Sequence, residues 1–270
     1  MILTIDVGNS QIFGGVFEAG GLTIRFRKAS TPGTSSDELG LFLRNVIREN
    51  GCDATLVTQI GICSVVPESI YSLRSCCRKY FRIDPFVLQP GARTGLKILY
   101  RNHLELGPDR IANAIGATFL YPDRHVIVID FGTATTFDVV RASREYVGGI
   151  ILPGLRIAME ALEKNTARLP TVEIVAPGAL VGRSTVESIQ SGLYFGNRAM
   201  VRELTREIRE QAFSGEPAVV IGTGGFSRLF ERENMFDALL PDLVLVGLHR
   251  AIALNDGGSR PWSAPPAEAG

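Results

Sequence analysis

ILTIDVGNSQIFGGVF (residues 2–17) and VIVIDFGTATTFDVV (residues 126–140) are the two stretches of this sequence that decide its fold. Each is an apolar strand, an Asp-x-Gly turn with small hydroxyl or amide residues, and a second apolar run. Each continues into a third extended segment, LTIRFRKAS in the first copy and REYVGGIILPG in the second. Because this unit occurs twice, we expect two related domains built on strand-turn-strand meanders.

The segments that follow each meander alternate between helical and extended patterns. SSDELGLFLRNVIREN (residues 35–50) has helical periodicity, and LVTQIGICSVV (residues 56–66) is typical of a buried strand. Such alternation indicates the α/β class. We expect a first domain over residues 1–118, a second over 119–255, and a disordered tail over 256–270, which is rich in Gly, Pro, Ser and Ala.

Composition favours a small-molecule partner. The chain has 28 basic and 28 acidic residues, so it offers no net field for nucleic acid or for an anionic membrane. Neither a signal peptide nor a run of roughly 18 apolar residues is evident, and we expect a cytoplasmic protein. Its four cysteines lack the spacing of a zinc site, and we expect them to be reduced.

The two Asp-x-Gly turns suggest phosphate binding. Gly8 and Gly132 let backbone N–H groups approach an anion, and neighbouring amide or hydroxyl side chains add neutral donors. A carboxylate beside phosphate is explained if it organises Mg²⁺ or its waters, which applies to Asp6 and Asp130. Either turn alone is equally compatible with an ordinary hairpin.

Two further turns complete the set. Residues 221–225 (IGTGG) follow an apolar strand and would let a flat ring pack against backbone, although an ordinary strand-helix turn has the same pattern. Residues 107–110 (GPDR) place an acid and an Arg at a helix start. Locally, Asp109 there is also explained as a capping residue.

Five motifs carry a resemblance to a known family: DVGNS (6–10), GPDR (107–110), DFGTATT (130–136), GGIILPG (148–154) and GRSTVESIQSGLYFG (182–196). The order of the three glycine turns, at 6–10, 130–136 and 221–225, resembles the actin, hexokinase and Hsp70 superfamily, and the residues of the five motifs resemble those of type III pantothenate kinases. The resemblance spans nearly the whole chain up to the tail, and Ser10 stands where the family more often has Thr. It implies two tandem ribonuclease H-like (actin-like ATPase) domains facing a nucleotide cleft.

The resemblance also implies a reaction: transfer of the ATP γ-phosphate to the 4′-hydroxyl of pantothenate, the first step of coenzyme A biosynthesis. Asp109 is then the general base, and the implied pantothenate-binding residues are Tyr100, Gly107, Pro108, Asp109, Arg110 and Thr185. The implied ATP-binding residues, which act with Mg²⁺, are Asp6, Val7, Gly8, Asn9, Ser10, Gln11, Ile12, Phe13 and Thr133. Asp130 is the expected ligand of a monovalent cation, K⁺ or NH₄⁺, unless it only caps its own turn. The family further implies a homodimer.

Two other functions fit the same motifs. One is a kinase for a different small alcohol or acid, and the other is a non-catalytic relative that binds nucleotide and acts as a regulator. The joint presence of Asp6, Asp109, Arg110 and Asp130 argues against the regulator, because a protein without turnover has little use for all four.

Overall fold

The computed structural model describes residues 1–255, so the predicted disordered tail lies outside the described residues. The chain divides into two compact units. The first unit comprises Met1–Gly95, Arg101–Leu120 and the chain from Leu243 onward. The second unit comprises Leu96–Tyr100 and Tyr121–Asp242.

The first unit is built on a five-stranded sheet in the order β3-β2-β1-β4-β5. β1 and β2, and β2 and β3, pair antiparallel, whereas β4 lies parallel to β1 and β5 parallel to β4. The strands are β1 (Ile2–Val7), β2 (Gln11–Glu18), β3 (Gly21–Ala29), β4 (Gln59–Ser64) and β5 (Phe86–Val87).

The second unit is built on a six-stranded sheet in the order β11-β10-β7-β8-β9-β6. Without the edge strand β6, this order repeats that of the first sheet, with β7, β8 and β9 in place of β1, β2 and β3. The predicted repeat and the α/β class are therefore confirmed. The strands are β6 (Lys97–Ile98), β7 (His125–Phe131), β8 (Ala134–Val140), β9 (Glu145–Pro153), β10 (Ala218–Thr223) and β11 (Ala238–Leu239).

Residues 1–255 contain six α-helices. They are α1 (Ser36–Glu49), α2 (Ser69–Cys76), α3 (Pro108–Leu120), α4 (Leu155–Asn165), α5 (Thr185–Phe213) and α6 (Leu243–Asn255). Short 3₁₀ helices cover Ala54–Leu56, His103–Glu105 and Ser227–Glu233, and a single π-helical turn covers Cys77–Phe81. Among residues 1–255, no helix is both long enough and apolar enough to cross a membrane.

Local sequence sets the starts of the predicted helices. Ser35 caps α1 through a capping box, because its side chain accepts from Glu38 N–H while the Glu38 carboxylate accepts from Ser35 N–H at 2.8 Å. Ser184 caps α5 with its side chain, which accepts from Glu187 N–H at 3.2 Å. α2 begins at Ser69, two residues after Pro67.

Alternation along β1 separates the two faces of the first sheet. Leu3, Ile5 and Val7 are buried in an apolar cluster with α1 and α2. Thr4 and Asp6 lie on the opposite face, which α6 covers, as the packing of Gly61 of β4 shows: a Cβ there would meet Ile252 and Leu248 of α6. The second sheet has its own cluster, formed by alternate residues of β7 with α4 and α5.

α3 and α6 approach each other very closely because two glycines lie at their crossing. A Cβ on Gly247 would collide with the backbone oxygen of Ala112, and one on Gly116 would lie 2.8 Å from the Leu243 oxygen. Ala and Gly at such positions let helix backbones pack directly against each other. The pairing holds α6 in the first unit.

The observed units differ in two places from the division at residue 118. The closing helix α6, which the sequence division placed in the second domain, belongs to the first unit. Tyr100, placed in the first domain, belongs to the second unit, because β6 pairs with β9 there. In both cases, contacts between residues far apart in sequence determine which unit a segment belongs to, and its position along the chain does not.

We predict that Gly247→Ala destabilises the first unit by about 3 kcal/mol, because the new methyl group meets rigid backbone. Gly196→Ala in α5 is the matched control, because a Cβ there meets nothing within 4 Å, and it should stabilise the protein by about 0.5–1 kcal/mol. Urea unfolding measures both variants. Equal stability of the two would contradict the close packing of α3 and α6.

Candidate active site

Each sheet carries a carboxylate one residue before the end of its central strand. Asp6 in β1 lies opposite Phe13 of β2, and Asp130 in β7 lies opposite Thr136 of β8. In both cases the next strand turns back at once, so the carboxylate lies beside a tight turn. The predicted equivalence of the two Asp-x-Gly turns is thus realised in their strand pairing.

The first turn is closed by a hydrogen bond from Gly8 N–H to the Gln11 oxygen, 2.9 Å. Asn9 and Ser10 at its tip are exposed, so their side chains and N–H groups are accessible to a ligand. Val7 and Ile12, also predicted to bind ATP, are buried in the core of the first unit. Their side chains are therefore not available to a ligand.

Gln11 and Phe13, also in the predicted ATP set, both contact Arg27 of β3. Arg27 donates to Gln11 Oε1 at 3.2 Å, and its guanidinium lies 4.0 Å above the ring of Phe13. This cation–π contact covers the aromatic ring and leaves Phe13 only 7% exposed. The ring of Phe13 therefore packs beneath the Arg27 guanidinium and is not available to stack against a ligand.

Cys63 is a site residue that the sequence did not indicate. It lies in β4 directly opposite Asp6, and its thiol donates to Asp6 Oδ1 at 3.2 Å. Burial raises the pKa of the Cys63 thiol well above its ordinary value, and the Asp6 and Asp109 carboxylates raise it further. The Cys63 thiol is therefore hydrogen-bonded to Asp6 beside the first turn and is also under the electrostatic influence of Asp109 at the start of α3. Detecting it needed the strand register, because the two residues are far apart in sequence.

Asp109 is held at the first turn of α3. Its Oδ1 accepts from Arg110 N–H at 2.8 Å, and a Cβ on Gly107 would collide with this same oxygen. The glycine before Pro108 thus provides room for the carboxylate. Burial raises the pKa of Asp109, and the Arg110 N–H and guanidinium oppose that rise. The Arg110 side chain is itself buried.

The second turn is bounded by two glycines from elsewhere in the second unit. Gly132 N–H donates to the Ala134 oxygen at 3.0 Å, which closes the turn around Thr133. A Cβ on Gly154 would collide with the backbone oxygens of Gly132 and Thr133, and one on Gly224 would collide with Asp130 Oδ1. The predicted third glycine turn therefore lies directly against the second carboxylate.

A partly buried hydrogen-bond network fixes the segment that follows this third turn. Glu233, at the end of the 3₁₀ helix Ser227–Glu233, accepts from the Tyr194 hydroxyl at 2.7 Å and from Arg198 at 3.0 Å. Arg202 donates to the Glu233 backbone oxygen at 2.9 Å. Burial and the Glu233 carboxylate raise the pKa of Tyr194 to about 12. α5 thus holds this segment in place.

Thr185 and Tyr100 lie on separate elements of the second unit. Thr185 is the first residue of α5 and lines a cavity of about 810 Å³ between α4 and α5, together with Leu162, Ser188 and Gly192. Tyr100 follows β6, and its ring packs edge-on against Tyr146 at 6.4 Å. The Tyr146 hydroxyl in turn donates to buried Asp138 at 2.6 Å.

The carboxylates are distributed singly. In the described part of the chain, no group of three or more His, Cys, Asp or Glu side chains is arranged to hold a metal ion. Asp130 lies against its own turn and the third glycine turn, because a Cβ on Gly132 would lie 3.4 Å from Asp130 Oδ1 and one on Gly224 would collide with it. Asp6 similarly offers a single carboxylate beside the first turn.

Comparison with known proteins identifies the relatives of this chain. The sequence model described as type III pantothenate kinase matches residues 2–207. A type III pantothenate kinase from Legionella pneumophila (strain Corby) is 54% identical over 255 residues, which cover 94% of this chain and 99% of that protein.

Two solved structures are similar in fold. One, from Campylobacter jejuni, is provisionally named a Baf family transcriptional activator; it has a TM-score of 0.59 at 19% identity and covers 94% of this chain and 99% of its own. The other, from Sinorhizobium meliloti, is provisionally named a 2-dehydro-3-deoxygalactonokinase; it has a TM-score of 0.53 at 14% identity and covers 98% of this chain and 100% of its own. At these identities the likeness concerns the fold, and it supports the tandem actin-like architecture.

We predict that Gly224→Ala destabilises the second unit, because Gly224 has a φ of +86° and a Cβ there collides with Asp130. The left-handed conformation alone costs a non-glycine residue about 1–2 kcal/mol. The neighbouring Gly225→Ala is the control, because a Cβ at that position meets nothing within 4 Å. Thermal unfolding should separate the two, and equal melting temperatures would refute the close approach.

Proposed function

The chain belongs to the type III pantothenate kinase family, and from this we propose that it transfers the γ-phosphate of ATP to the 4′-hydroxyl of pantothenate with Asp109 as general base. As a member of this family it is an ATP-dependent phosphotransferase. Its reaction would be the first step of coenzyme A biosynthesis. The observation that carries the role of Asp109 is a buried carboxylate beside a glycine that makes room for it.

The proposed chemistry needs one base. Asp109 accepts the proton of the 4′-hydroxyl while that oxygen forms a bond to the γ-phosphorus, and the bond from phosphorus to the β,γ-bridging oxygen breaks to release ADP. The raised pKa of Asp109 makes it a better proton acceptor than an exposed aspartate. The transition state is loose, so positioning and charge neutralisation supply most of the catalysis.

We propose that Arg110 neutralises charge on the substrate, because its guanidinium retains its positive charge even when buried. The proposed pantothenate-binding residues are Tyr100, Gly107, Pro108, Asp109, Arg110 and Thr185. Within the first unit, the geometry of the turn supports Gly107 and Pro108 as the elements that shape the position of Asp109. Within the second unit, Thr185 has a hydroxyl at the N-terminus of a long helix, which favours an anionic or polar group.

For ATP we propose the first turn and Thr133. The exposed tip at Asn9 and Ser10 supplies donors, and Val7, Ile12 and Phe13 contribute backbone and support. Gly8 and Gln11 close the turn, and Asp6 is suited to orient waters of Mg²⁺. Mg²⁺, when bound with ATP, would neutralise phosphate charge.

We propose that Asp130 holds a monovalent cation, K⁺ or NH₄⁺. Its carboxylate lies against Gly132 and Gly224, hard cations prefer oxygen ligands, and this sequence has no P-loop lysine to supply positive charge. A structural role for Asp130 predicts no cation effect.

A homodimer is proposed from an exposed apolar surface around α4 and α5. Its exposed residues are Ile157, Leu162, Leu180, Val181 and Val186. Apolar patches of this kind on a folded protein often mark interaction sites. A cytoplasmic location stays a prediction from the sequence.

We predict that Asp109→Asn lowers kcat by about 10²- to 10⁴-fold, because the base is lost while its shape is kept. Binding of ATP should be unchanged. The control is Asp84→Asn, which removes an exposed carboxylate that pairs with Arg78. A coupled ADP-release assay with pantothenate and a panel of other small alcohols and acids measures the rates. Normal turnover by Asp109→Asn refutes the base, and a clear preference for a sugar refutes the acceptor.

The same assay gives the pH dependence. A protonated Asp109 does not accept a proton, so kcat/KM should fall as pH drops through the pKa of this carboxyl. Because burial raises that pKa, the fall should begin at a higher pH than the ordinary value of 3.8 allows.

We predict that K⁺ or NH₄⁺ stimulates the wild-type rate and that Asp130→Asn abolishes this stimulation. Asp123→Asn is the control, because Asp123 is an exposed turn residue with a φ of +57°, a conformation that Asn also accepts. Initial rates are measured in potassium, ammonium and choline salts. Equal stimulation of wild type and Asp130→Asn would show that Asp130 holds no cation.

We predict that Val181→Glu converts a dimer to a monomer, since a charge is placed in the apolar surface. Tyr71→Glu is the control, because Tyr71 is an equally exposed apolar residue in the first unit. Sedimentation velocity distinguishes the species. A catalytically competent wild-type monomer would overturn the proposed homodimer.

A further inference from the structure

Cys63 has an environment that packing alone does not explain. Its side chain is completely buried, and its thiol donates to Asp6 Oδ1 at 3.2 Å. The two residues are directly opposite each other on parallel strands β1 and β4. Cys63 shares its sheet face with Gly61, which packs against Ile252 of α6.

We propose that Cys63 is a positioning residue that fixes the orientation of the Asp6 carboxylate beside the first phosphate turn. This inference rests on the proposed function of that turn in binding MgATP. A carboxylate at the end of a strand rotates freely about its last torsion unless a donor selects one orientation. The thiol is such a donor, and it is supplied by a neighbouring strand that is itself fixed by backbone pairing.

An apolar residue at position 63 would fill the same space but would not donate a hydrogen bond to Asp6. It would leave an Asp6 oxygen facing a side chain that donates nothing, which is costly for a partly buried carboxylate. The carboxylate of Asp109 acts on the same thiol. Because both carboxylates raise the pKa of the thiol, it stays protonated and can donate.

The test compares three substitutions. Cys63→Ser keeps a hydroxyl donor, Cys63→Val has similar volume and strand preference but no donor, and Cys63→Ala removes the donor and leaves a small cavity. Affinity for a non-hydrolysable ATP analogue with Mg²⁺ is measured by calorimetry, together with KM values and melting temperatures.

We expect Cys63→Val and Cys63→Ala to weaken binding of the Mg²⁺ analogue about tenfold, the effect of one hydrogen bond to a charged group. Cys63→Ser should bind like wild type. The KM for MgATP should rise in the same two variants, and the KM for pantothenate should not. Wild-type affinity in Cys63→Val, or equal weakening in Cys63→Ser and Cys63→Val, would overturn the proposal, as would a loss of affinity that follows the melting temperature across the series.

Failure of the proposed function is recognised separately. If the wild-type protein does not phosphorylate pantothenate, the acceptor is wrong, while the calorimetric series still decides the role of Cys63. If the wild-type protein binds no ATP analogue, the inference about Cys63 is overturned as well.

Discussion

Two backbone hydrogen bonds, from Gly8 N–H to the Gln11 oxygen and from Gly132 N–H to the Ala134 oxygen, close the turns that follow the central strands. Each turn forces the chain straight back into an antiparallel neighbour, so the strand ends with its carboxylate beside exposed N–H groups. The apolar alternation of β1 and β7 anchors the other end of each strand in a core. A polar site is therefore held by buried backbone pairing that tolerates little movement.

The two copies of this arrangement have acquired different neighbours. Asp6 receives a hydrogen bond from a thiol on the adjacent parallel strand, whereas Asp130 is approached by a glycine turn that leaves no space for a side chain. A hydrogen-bond donor restricts the orientation of a carboxylate, and closely packed backbone restricts the space in which it can move. The same topology thus supports the two different tasks that we propose, one at phosphate and one at a cation.

The sequence predicted what is local. The repeat, the turns and the helical periodicity of residues 35–50 follow from patterns within a few residues. The contact between Asp6 and Cys63 did not, because it depends on the register of strands separated by the whole of α1. The position of α6 was also missed, since a helix that is apolar nearly all round gives no sign of which sheet it covers. The carboxylate of Glu233 was missed for a similar reason: its partners lie on α5, far earlier in the chain.

The first unit is assembled from segments on both sides of the second, because α6 packs against α3 and the first sheet. During translation, β1 to β5 and α3 emerge early, but the helix that covers them follows only after Tyr121–Asp242 has been made. At ordinary elongation rates this interval is on the order of ten seconds. Throughout it, the part of the sheet that α6 covers in the folded protein stays uncovered, so the first unit completes its fold only after the second has been synthesised.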